Sequence, residues 1–186
     1  MSVWQLVGLS SLIMTLVGGL VILLRNPTQS SDSISYHIAS KRHYFILMGL
    51  ALTFAGLAFY GFLIFWLIPE YQLPYVTYWI VIISFIAQLF VAWLPARPNS
   101  VVGRIHAASG VAVGTAMVLC IWILVLYGQD VPPIARVLSI AAAITTPISY
   151  ITLSIGLVRV RRLVLPSELA MIGVFSLALI TLSLKI

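Results

Sequence analysis

Six apolar runs, each close to the length of a bilayer crossing, follow one another along the chain: Val3–Leu24, Tyr44–Ile68, Tyr75–Ala96, Ile105–Tyr127, Ile134–Leu157 and Val164–Leu184. An α-helix needs roughly 20 predominantly apolar residues to cross the hydrocarbon layer, so each run predicts one spanning helix. The breaks are rich in polar residues, Pro and Gly: "RNPTQSSDSISYHIASKRH", "PEYQLP", "ARPNSVVGR", "GQDVPP" and "RVRRLVLPSE". Such clusters are the usual punctuation between elements. Connections this short predict antiparallel neighbours. The expected fold is therefore an all-α integral membrane protein, a compact bundle of six transmembrane helices, with residues 1–186 forming one domain.

Composition identifies the solvent. The chain is 62% hydrophobic and 8% charged, with a mean hydropathy of +1.14. Soluble domains carry about 25% charged residues, so lipid rather than water is the expected surrounding. The net charge of +6 comes from sparse basic residues in short connections. That distribution fits orientation signals and contacts with anionic headgroups, and argues against nucleic acid as a partner. The first run lacks the basic flank and small-residue cleavage site of a secretory signal and reads as a retained first helix.

The basic residues also orient the bundle. Arg25, Lys41, Arg42, Arg97, Arg104, Arg159, Arg161 and Arg162 fall in the first, third and fifth connections, against Arg136 and Lys185 on the other side. By the positive-inside rule the odd connections face the cytoplasm. Both termini are then outside, in a prokaryotic cytoplasmic (inner) membrane crossed many times. Trp4, Trp66, Tyr71, Tyr75, Tyr78, Trp79 and Tyr127 are expected at the outer interface, and Tyr44 and Trp93 at the inner one.

No Asp, Glu, Lys, Arg or His lies near the centre of a run, which argues against a mid-membrane proton relay. The intramembrane polar groups are Gln88, Thr145 and Thr146, supported by Thr53, Thr115 and Ser149. They fit either hydrogen bonds between helices or the path of a small-solute carrier beside a kink at Pro147. Gly110 and Gly114 with Ser109, and Gly49 and Gly56 with Thr53, predict close helix–helix seams. The single cysteine, Cys120, reads as a small buried hydrophobe.

The chemistry-bearing residues collect elsewhere. "SDSISYHIASKRH" holds two of the three histidines, and the predicted topology brings His37, His43 and His106 to one cytoplasmic rim with Asp32. Imidazole and carboxylate could hold a zinc ion there, or His43 and His106 could ligate a haem, although no HxxxH or HExxH pair fixes two ligands on one helical face. Lys41, Arg42, Arg97 and Arg104 at the same rim suit anionic headgroups, since guanidinium forks match phosphate. The plainer alternative is a solvated loop with snorkelling cations.

The order of "SDSISYH", a Gly-containing second helix, "VAWLP" and then "RIHAASG" resembles a family of uncharacterised prokaryotic six-span proteins, distantly similar to the damage-regulated autophagy modulators. The resemblance covers most of the chain in layout and implies a fold and topology but no reaction. The chain departs from that pattern at "WLPARPN", where the family places an acidic residue soon after the proline. The resulting expectation is a non-enzymatic sensor, accessory subunit or lipid-interacting factor with a basic, histidine-containing rim. The alternatives are a metal- or haem-dependent membrane enzyme using His37, His43 and His106, and a small-solute carrier. The cofactor is left undecided. Membrane lipids, anionic ones above all, are the expected partners, and a homo-oligomer or a partner membrane subunit stays open.

Overall fold

A computed structural model describes residues 1–25, 42–96, 99–154 and 164–185. Among these the chain is helical, without strands. Helix α1 spans Val3–Arg25. Helix α2 begins as Arg42–Phe62, widens into a π-helical stretch at Leu63–Leu67 and ends in the turn Ile68–Glu70. Helix α3 spans Val76–Trp93, α4 Val101–Tyr127, α5 Pro133–Ser154 and α6 Val164–Leu184. Each helix packs on its neighbour in sequence, and α1 also meets α6, so the order closes into a ring.

Among the described residues three stretches are long and apolar enough to cross a membrane: Phe45–Glu70, Val76–Trp93 and Val101–Tyr127, with mean hydropathies of 2.1, 2.0 and 2.3. The remaining helices contain shorter apolar segments, Val3–Val17, Pro133–Ser149 and Leu169–Leu184. Large side chains such as Ile13, Phe54, Ile83, Val111, Ile144 and Leu177 stay exposed on the helix surfaces. One such outward apolar residue on every helix is a surface suited to lipid rather than water.

The main core lies toward one end of the ring. It combines Tyr60, Phe62, Trp66 and Tyr71 from α2 and its terminus with Val81, Leu124, Ala135, Leu179 and Leu182 from the helices opposite. The π-helical stretch has a local cause. Pro69 has no N–H and its ring crowds the carbonyl of residue 65, so the preceding turn opens and the Ile68 N–H bonds back to Leu63 O. The wider turn directs Leu63, Trp66 and Leu67 inward. Trp66 and Tyr71 are consequently 7% and 2% exposed, turned into the core rather than outward. Trp4, Tyr75, Trp79 and Tyr127 are exposed.

This end is also sealed by polar contacts. A helix leaves its last carbonyls without intrahelical partners, and in lipid each such group is costly. The Tyr71 hydroxyl donates to Leu182 O at 2.8 Å and Gln5 Nε2 donates to Ser183 O at 2.6 Å, so two carbonyls of the last turn of α6 are satisfied. Gln5 does this while closing a capping box at the start of α1. Its N–H bonds Ser2 Oγ at 3.2 Å and its Oε1 accepts from the Ser2 N–H, the reciprocal pattern of a Ser-x-x-Gln start. Burial, then the neighbouring Glu70 carboxylate, push the Tyr71 phenol up to about 12, which keeps it a donor. Gln129 N–H bonds Tyr71 O at 3.0 Å, tying the α4–α5 connection to the α2–α3 connection. Lys185 and Glu70 form an ion pair over this surface.

Small residues set the closest approaches. A Cβ added to Gly8 of α1 would lie 2.5 Å from Phe62 Cγ, and one on Gly49 of α2 would lie 3.0 Å from Ala92 O of α3. The expected α2 seam is therefore real at Gly49. Gly56 has room, its added Cβ meeting Gln88 Cγ at 3.7 Å. On α4 the expectation is half corrected: Ser109 and Gly114 are buried, but a Cβ on Gly110 would meet no atom within 4 Å. Gly110 points away from the seam that its neighbours form.

Candidate functional site

The rim opposite the sealed end is built by a proline. The residue before a proline is driven out of the helical region by the pyrrolidine ring. Leu94 precedes Pro95 and adopts φ −103°, ψ 124°, ending α3. Its N–H still closes the helix on Phe90 O at 2.9 Å, while its own carbonyl leaves the helical path. His106, in the second turn of α4, meets that carbonyl with Nδ1 at 2.7 Å. A carbonyl only accepts, so Nδ1 carries the hydrogen that it donates.

His106 stands so close because α4 starts earlier than the apolar pattern predicts. Ser100 is the N-cap, its Oγ accepting from Gly103 N–H at 2.9 Å. Arg104 is therefore a first-turn helical residue and not part of a loop. Together His106, Leu94, Val91, Phe45, Met48 and Leu52 line a cleft of about 30 Å³ between the end of α3 and the start of α2. The cleft wall is apolar apart from the imidazole. Trp93 closes the same junction, its indole N–H donating to Thr53 Oγ1 at 3.0 Å, while the Thr53 hydroxyl donates to Gly49 O at 2.7 Å.

Charge at this rim runs against helix stability. A cation in the first turn opposes the helix dipole by about 0.3–1 kcal/mol. Arg42 opens α2 and Arg104 lies in the first turn of α4, both exposed, and neither first turn contains an acidic residue. An anion at either helix start would face main-chain N–H groups and a guanidinium group.

The expected site residues separate as follows. Arg42, His43, Arg104 and His106 lie at one end of the bundle, on α2 and α4, with His43 exposed in the first turn of α2. Lys41, Arg97, His37 and Asp32 lie outside the described residues. Among the described residues no group of three His, Cys, Asp or Glu side chains could hold a metal ion. Gln88 packs toward Gly56 at the α2–α3 seam. Thr145 and Thr146 donate to Ala141 O at 3.0 Å and Ala142 O at 2.8 Å on their own helix, where α5 continues through Pro147. None of these three lines the His106 cleft.

The Leu94 carbonyl was missed in the sequence. "WLP" carried the signal, because the proline fixes its predecessor as extended, but only the fold shows which donor meets the freed oxygen. No protein-family model, curated protein or solved structure matches the chain.

Proposed function

We propose that the chain is a six-span membrane protein of a prokaryotic cytoplasmic membrane that binds anionic lipid headgroups at its cytoplasmic rim and acts as a non-enzymatic accessory or sensing factor. The observation that carries this reading is that two helices, α2 with Arg42 and α4 with Arg104, start with a cation and no acid at the end of the bundle where His106 lines an apolar cleft. A lipid supplies both halves of the complement: a phosphate for the guanidinium groups and methylenes for Phe45, Met48 and Leu52. Helices of 23, 22 and 21 residues at α1, α5 and α6 support six crossings, since about 20 residues are enough. Lys41 and Arg97 extend the same basic rim in sequence, and a homo-oligomer or partner subunit would sit against the exposed apolar helix faces.

The test is native mass spectrometry of protein released from vesicles containing phosphatidylglycerol and phosphatidylethanolamine. Arg42→Ala with Arg104→Ala is expected to lower retained phosphatidylglycerol several-fold and leave phosphatidylethanolamine adducts unchanged. Equal loss of both lipids, or of neither, overturns the reading.

A further inference from the structure

Several hydroxyl groups along the described helices are turned back onto their own backbone. Ser11 donates to Gly8 O, Thr15 to Ser11 O, Thr53 to Gly49 O and Thr146 to Ala142 O. Ser139 of α5 does not follow this habit. It is 1% exposed and its Oγ has no hydrogen-bond partner. A buried polar atom left unpaired costs about 1–3 kcal/mol, so its retention calls for a physical reason. Thr77 and Ser183 are also unpaired, but Ser139 alone of the three lines a cavity described here.

That cavity lies within the bundle and has a volume of about 40 Å³. Leu63 and Leu67 of the π-helical stretch form one wall, with Cys120 and Leu124 of α4, Ser139 of α5 and Leu179 of α6 around it. Every other lining side chain is hydrocarbon or thioether. π-Helical turns inside α-helices recur at functional sites, and here the opened turn of α2 supplies part of the wall.

The size and chemistry of the space define its occupant. One water needs roughly 10–15 Å³ of such volume, so the cavity takes about three or four heavy atoms. A water inside would want two to four polar partners, and the walls provide one hydroxyl and a weakly bonding thiol. We infer that this cavity binds a small neutral amphiphile of short-chain alcohol or carbonyl type, its apolar body against Leu63, Leu67 and Leu179 and its one polar atom on Ser139 Oγ. This site is separate from the headgroup rim and does not depend on that reading.

The test is ligand-observed saturation-transfer NMR with 1-propanol as probe and the full chain in nanodiscs of deuterated lipid. A saturable signal with a midpoint in the millimolar range is expected, the order set by about 1 kcal/mol per heavy atom. Ser139→Ala removes an unpaired hydroxyl, so the variant is expected to melt no lower than wild type, and its midpoint should rise about two- to tenfold, the worth of one hydrogen bond. Ser139→Leu fills the space and should abolish the signal. No saturable signal in wild type, or the same signal in all three proteins, overturns the proposal, the latter meaning that propanol only partitions into the bilayer. Loss with Ser139→Leu but an unchanged midpoint in Ser139→Ala overturns the assignment of the hydroxyl.

Discussion

At the scale of single residues, two glycines that look alike in sequence have opposite roles. Gly8 faces Phe62, and an added Cβ would sit 2.5 Å from the ring carbon Cγ and 3.1 Å from Phe62 Cβ. Phe62 is 1% exposed and stacks on Trp66 with centroids 5.1 Å apart, so its ring has nowhere to retreat. Overpacking a core of this density costs about 1–3 kcal/mol. A Cβ added to Gly110 would meet nothing within 4 Å, and an Ala there chiefly reduces the freedom of the unfolded chain, a gain of about 0.4–1 kcal/mol. Gly8→Ala should therefore lower the melting temperature in detergent while Gly110→Ala raises it or leaves it level. Destabilisation by both would mean that Gly110 is covered in the folded protein after all. The sequence places both residues on apolar helices and gives spacing, but which side of a helix finds a neighbour is decided by packing. Trp66 and Tyr71 teach the same lesson: an apolar run says that they fall near the end of α2, and their inward direction comes from the turn opened before Pro69.

At the scale of elements, most of the helix limits follow from apolar run length, and the exceptions have polar causes. The α6 limits, Val164–Leu184, coincide with the apolar run. Helix α4 begins four residues before its predicted start because Ser100 caps it, and a hydropathy pattern does not see a cap. Helix α3 ends at Trp93, three residues before its predicted end, because Pro95 forces Leu94 extended. That last boundary yields a prediction. Pro95→Ala removes the steric bar, so α3 can continue and draw the Leu94 carbonyl back toward a helical path. His106 Nδ1 then loses its acceptor, at a cost of about 1 kcal/mol, and the ring is free to turn in the cleft. The variant should show exchange-broadened His106 ring signals in NMR and a melting temperature lowered to about the level of His106→Ala. A sharp, unshifted His106 resonance in Pro95→Ala would show that the bond does not depend on the proline.

At the scale of the whole molecule, the two ends of the bundle are chemically unlike. One end is closed by the Tyr71, Gln5 and Gln129 hydrogen bonds and the Lys185–Glu70 pair. The other end has an arginine in the first turn of two helices and offers an imidazole beside an apolar cleft. An exposed ion pair is worth only about 0–1 kcal/mol, so the sealed end owes its order to the aromatic core and the satisfied carbonyls of α6 more than to Lys185 and Glu70. Cations held back by an energised membrane and drawn to anionic cytoplasmic lipid would set the unlike ends in opposite compartments. Cysteine labelling on intact cells tests this directly. In a Cys120→Ala background, Gln129→Cys sits in the exposed α4–α5 connection and Val101→Cys at the exposed start of α4. A membrane-impermeant maleimide should label the first on intact cells and the second only after lysis. The reverse order would put Arg42 and Arg104 outside, away from the anionic leaflet, and would remove the electrostatic basis for headgroup binding. Labelling of both on intact cells would place the two connections on one side, which an odd number of crossings between them cannot allow, so α4 would then not span the membrane.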